Sequence, residues 1–182
     1  KVVVSTGTKT LQDQLFRRDL PALSGALGRP VHVALLKGRS NYLCRHRLEL
    51  AATDAGRLPA QQQHDLECIR AWSVRTTSGD IAGLAEVQEH SPLWPRVTST
   101  QDNCLGQECS DYAACHLVEA RRAAQEADLV VVNHHLLLAD LAMKESGFVE
   151  FLPDAEAIII DEAHQIPDLA VQFFGVALGS RE

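Results

Sequence analysis

Apolar and polar positions along the chain fall into three textures. The opening run KVVVST, residues 1–6, is β-branched and closed by Gly7, which predicts a short buried strand of a parallel sheet. In the following KTLQDQLFRRDLPAL, Leu11, Leu15 and Phe16 recur at i, i+4 and i+5. That stripe predicts a helix, with Pro21 and Gly25 expected to break it. VHVALLKG, residues 31–38, predicts a second strand ended by Gly38. From about residue 39 to 117 regular strand patterns vanish. This stretch predicts an irregular, mainly helical insertion with few apolar anchors, held by something other than a large core. Near residue 118 the strand–helix texture returns: HLVEARRAAQEA predicts a helix, DLVVVN (128–133) a strand, HHLLLADLAM a helix and AEAIIIDEAH (155–164) a strand running into a charged loop. Alternating helices and near-continuous apolar strands predict an α/β fold, a parallel sheet with helices on both faces. The expected domains are 1–37 and 118–182, interrupted by 38–117.

Composition narrows the setting. Apolar residues make up 46% of the 182, enough for a core. Five cysteines are too few, and too odd in number, for a disulfide framework. No run approaches the ~18 apolar residues of a membrane span, and KVVVSTGTKT does not read as a signal peptide. A reducing, cytoplasmic compartment and no membrane partner are the expectation. The abrupt start inside a strand suggests a piece of a longer protein. The net charge of -7 argues only weakly against a nucleic-acid partner, because binding needs just a local basic path. Lys37, Arg39, Arg45 and Arg47, with Tyr42 among them, form such a group, suited to phosphate contact and base stacking on single strands. The blander reading is that these charges only solvate the insertion.

All five cysteines lie in the insertion. Cys104, Cys109 and Cys115 supply three thiols from one segment, and Cys44 is the natural fourth. Cys68, between apolar and polar neighbours, reads as an ordinary small core residue. Four thiolates suit structural zinc or an iron–sulfur cluster. A lone cysteine followed by a loose triple departs from the paired spacing of zinc sites and favours the cluster; a metal-free group remains open. His46 and His116 flank the set as possible substitute ligands, though surface histidines are the plainer reading.

IIIDEAH, residues 158–164, places Asp161 and Glu162 at the carboxyl end of a strand, where parallel α/β sheets bind ligands. One carboxylate there suits a magnesium ion held through water. A second suits orienting or deprotonating an attacking water, with His164 near enough to hydrogen-bond a neighbouring element. D-E-x-H alone is a weak match; the aliphatic run ahead of it gives it weight. The phosphate cradle such a site needs, G-x-x-x-x-G-K-[ST], is absent from this chain: STGTKT has Thr8, not glycine, before Lys9.

The ordered blocks STGTKTLQDQL, KGRSNYLC, Cys104/Cys109/Cys115, VVNHHLLLADL and IIIDEAH resemble the XPD-like iron–sulfur helicases of superfamily 2, and within them the bacterial DinG/YoaA branch. The resemblance covers nearly the whole chain. It implies part of a RecA-like motor domain carrying a cluster domain, in an ATP-dependent DNA helicase of 5′ to 3′ polarity acting in repair or replication. Cys44, Cys104, Cys109 and Cys115 would ligate a [4Fe–4S] cluster. Asp161 and Glu162 would act on magnesium and on the hydrolytic water, and His164 would couple ATP hydrolysis to DNA. Thr6, Thr8 and Gln12 would contact single-stranded DNA, with Arg39, Tyr42 and Arg45 further candidates. Implied partners are single-stranded or forked DNA, a replication or repair protein and the remainder of the helicase chain. Alone, the fragment is expected to lack turnover. Air exposure leaves apo, disulfide-linked or zinc-substituted states open. The alternative is a cluster-bearing module that binds single strands or senses redox state without a motor.

Overall fold

The computed structural model describes residues 1–145 and 151–175. In chain order its main elements are β1 (Val2–Thr6), α1 (Lys9–Gln14), α2 (Leu20–Leu27), β2 (Val33–Leu35), α3 (Arg45–Thr53), α4 (Ala60–Ser73), α5 (Trp94–Val97), α6 (His116–Glu126), β3 (Leu129–Asn133), α7 (His134–Glu145), β4 (Ala157–Ile160) and α8 (Ile166–Phe174). Two compact units result: Lys1–Lys37 with Arg121–Glu182, and Gly38–Ala120. Among the described residues no helix is long and apolar enough to cross a membrane.

The first unit is an α/β structure built on a parallel sheet of order β2-β3-β1-β4. Val3 pairs with Val130 on one side and Ile158 on the other. The β-branched runs of β1 and β3 fill the centre: Val3, Val4, Val130, Val131 and Val132 are buried. This is the signature of central strands covered on both faces. β4 departs from that expectation. Ile158, Ile159 and Ile160 are 48%, 54% and 42% exposed.

Pro21 and Gly25 do not break the helix as expected. A π-helical turn, Leu15–Asp19, follows α1 directly, and Pro21 lies in the first turn of α2. Asp19 and Leu20 keep helical dihedrals, so the helical run continues through Pro21, whose ring and missing N–H fall directly after the wider π-turn. Gly25 lies inside α2, and Gly28, at φ 62°, ends it in the left-handed conformation glycine tolerates.

The second unit corrects the expectation of few apolar anchors. Leu43, Leu48, Leu66, Ile69, Leu93 and Val97 belong to one buried cluster formed by α3, α4, α5 and the loops between them. Cys68 packs against it, partly buried. Polar groups inside are paired: Ser91 donates to Asp65 at 2.6 Å, and the Trp94 indole donates to the Gln88 carbonyl at 2.9 Å. Each such aliphatic side chain contributes ~1.5–3 kcal/mol on burial, so this unit carries a hydrophobic core of its own.

Candidate nucleotide and metal sites

In the first unit the carboxyl ends of β1, β3 and β4 converge. The Asp161 amide donates to the Ser5 carbonyl at 2.9 Å, bringing the acidic turn onto the end of β1. Asp161 Oδ1 accepts from the Glu162 amide at 3.0 Å. Glu162 is the one non-glycine residue at positive φ among those described, at φ 52° and ψ 40°. Holding a glutamate there costs ~1–3 kcal/mol, a strain that accumulates at functional sites. The Gln165 amide closes the turn on the Glu162 carbonyl at 3.0 Å. His164 Nδ1 lies 3.3 Å from Glu162 Oε2. Asp161, Glu162 and His164 are all exposed, which suits a carboxylate that takes magnesium through water and a second that meets a water.

Beneath them lies His134, a residue sequence reasoning missed. It is fully buried, and its Nδ1 is hydrogen-bonded to the Ser5 hydroxyl at 2.7 Å. Its Nε2 is buried with no hydrogen-bond partner. Burial pushes the imidazole pKa down, while the Asp161 backbone and the Asp161 and Glu162 charges pull it back up. The available signal was a histidine directly behind the aliphatic run of β3. Asn133 caps α7 at that point, its Oδ1 accepting from the Leu136 amide at 2.8 Å.

In the second unit, Cys44 immediately precedes α3, and the Cys115 carbonyl accepts the Glu119 amide at the start of α6. The four thiols are half-buried and unpaired, and Cys44 lies within electrostatic reach of the other three. Burial raises the Cys44 pKa. The Arg47 backbone opposes that rise, and the Cys115, Cys109 and Cys104 thiols add to it. Among the described residues no three His, Cys, Asp or Glu side chains close on one ion. Arg45 ties the two segments, Nε donating to the Ala114 carbonyl at 3.0 Å. His116 is buried, its Nε2 unpartnered and its ring over Gly79, so it is no surface histidine.

The proposed DNA contacts divide by burial. Thr8 is exposed and caps α1, its Oγ1 accepting from the Leu11 amide at 3.2 Å. Thr6 and Gln12 are fully buried; Thr6 donates to the Thr8 carbonyl at 3.2 Å and Gln12 Nε2 to the Leu36 carbonyl at 3.4 Å. Tyr42 is also buried. Lys37 is not part of an exposed basic group: it is 2% exposed and 3.1 Å from both Asp13 oxygens. Arg39 and Arg45 remain partly exposed, Arg39 Nη1 donating to the Thr100 carbonyl at 3.4 Å.

The chain is 56% identical, over its whole length, to the ATP-dependent DNA helicase YoaA of Escherichia coli, of which it covers 29%. It is 38% identical over 92% of its length to the ATP-dependent helicase DinG of Mycobacterium tuberculosis, covering 27% of that protein. It is 31% identical over 96% of its length to the 3'-5' exonuclease DinG of Bacillus subtilis, covering 18%. The chain thus spans less than a third of the length of these relatives. The DEAD_2 family model matches residues 31–182, taking in the cysteines, the His134 block and the acidic turn, and the chain belongs to the DEAD_2 family.

Proposed function

We propose that the chain is part of the first motor domain of an ATP-dependent DNA helicase of the DinG/YoaA type, moving 5′ to 3′ on single-stranded DNA in repair or replication. The observation that carries this reading is the acidic turn: Asp161 and a left-handed Glu162 at the end of β4, bonded to the end of β1. Asp161 holds magnesium through water, Glu162 orients the water that attacks the terminal phosphate, and His164 couples that step to DNA. Magnesium, when bound, neutralises charge on the phosphates. Thr8, Arg39 and Arg45 are the accessible contacts for the strand, while Thr6 and Gln12 support the loop that presents Thr8. Cys44, Cys104, Cys109 and Cys115 hold a [4Fe–4S] cluster, which ties together the segments that carry them.

The test uses the full-length protein. Single-stranded DNA should stimulate its ATPase, and Glu162→Gln should lower turnover ~100-fold or more without loss of DNA binding. Turnover that survives Glu162→Gln overturns the assignment. For the cluster, anaerobic protein should show broad visible absorbance and about four irons per chain, bleached by Cys109→Ser. One zinc and no iron would remove the cluster and leave the motor reading to stand on the acidic turn.

A further inference from the structure

Gly7 and Gln165 meet where the loop after β1 faces the acidic turn. A Cβ added at Gly7 would lie 2.5 Å from Gln165 Oε1, 2.7 Å from Nε2 and 2.9 Å from Cδ. The Gln165 carboxamide therefore rests on the Gly7 α-carbon, and a side chain at position 7 would have to push it aside. Close approach, not a left-handed backbone, is what glycine permits here. Gln165 is joined in turn to the strained residue, its amide donating to the Glu162 carbonyl at 3.0 Å. A second tie runs beneath, from the Asp161 amide to the Ser5 carbonyl at 2.9 Å, with the Ser5 hydroxyl anchored on buried His134. Thr8, the exposed residue of the loop, is next to Gly7 in sequence.

We infer that Gln165 is a positioning residue: its side chain passes a displacement of the Gly7–Thr8 backbone, caused by a bound single strand, to the Glu162 peptide, and so sets how far that strand accelerates hydrolysis. The inference rests on the nucleotide-hydrolysis reading above and assigns it a transmission point. A residue held against a left-handed penalty has its alternative conformation within reach of a small push, which makes Glu162 a responsive end for such a contact.

Full-length protein is assayed for ATPase without DNA and with saturating oligo-dT, alongside oligo-dT affinity. Gln165→Ala should lower the DNA-stimulated rate ~10-fold, the scale of a typical coupling between sites, while the basal rate and affinity stay within about twofold. Gln165→Met, which keeps bulk over Gly7 but not the amide, should retain stimulation. Gly7→Ala should lose it, and adding Gly7→Ala to Gln165→Ala should cost nothing more. Full stimulation in Gln165→Ala overturns the inference, as does a defect confined to affinity and abolished at saturating DNA. If wild-type protein shows no ATPase, or Glu162→Gln retains it, the hydrolysis reading fails and takes this inference with it. An active wild type with a fully stimulated Gln165→Ala sinks the inference alone.

Discussion

His134 is buried beside two carboxylates yet kept toward its neutral form by desolvation. Its folded pKa lies below the ~6.5 of an unfolded histidine, so the unfolded chain takes up a proton that the folded chain resists as pH falls through that value. Stability conferred by the neutral, buried ring is therefore present above about pH 6.5 and declines below it. His116, also lowered by burial, contributes with the same sign in the other unit. Urea midpoints at pH 7.5 and 5.5 should differ in the wild type, and His134→Gln should narrow the gap; an unchanged gap removes His134 as a source. Ser5→Ala strips the hydroxyl from Nδ1 and should cost ~1–3 kcal/mol, the penalty for an orphaned buried polar group. At this scale the sequence was only partly legible. Motif order singled out Asp161, Glu162 and the cysteines as candidates. It was silent on burial, because Thr6, Gln12, Lys37 and Tyr42 carry polar groups that look like DNA contacts until neighbours from distant segments cover them. Gln165 and Gly7 are ordinary residue types whose meaning lies in touching each other.

Among elements, the strands were the most legible, since β1 and β3 are unbroken β-branched runs and burial on both faces demands that pattern. The π-helical turn was not, because it arises where α1 hands over to a helix whose first turn holds Pro21. The insertion was misjudged for a related reason. Its apolar residues are spread over α3, α4, α5 and irregular loops, with no strand periodicity to announce them, and they still form one core. Two outcomes follow. Leu93→Ala, at a fully buried position, should destabilise the unit by ~2–5 kcal/mol in chemical denaturation. Chelating the iron from anaerobically prepared protein should lower the melting temperature yet keep most of the far-ultraviolet helical signal, because α3 and α4 have packing partners that owe nothing to a cluster. Collapse of that signal on chelation would return the metal to the role of a substitute core.

For the whole molecule, the open flank of the sheet matters most. β4 pairs with β1 on one side and, among the described residues, with no strand on the other. Its three isoleucines are about half exposed, and α8 leaves Val171 and Phe174 exposed as well. An aliphatic edge of this kind invites pairing with other chains unless something covers it. The relatives are more than three times as long as the part matched here, so the remainder of the parent chain is the occupant we expect. The direction of the amides makes the expectation measurable. Asp161 donates to β1, so by the two-residue period of a strand the amides of Ile158 and Ile160 face the free edge. In the 182-residue chain those two amides should exchange with solvent rapidly, while that of Ile159 is held by the β1 pairing. In the full-length protein all three should exchange slowly, because a segment of the same chain then caps the edge and buries the isoleucines. Equal, rapid exchange of Ile158 and Ile160 in both forms would mean that the edge stays open in the parent and that another molecule is its partner.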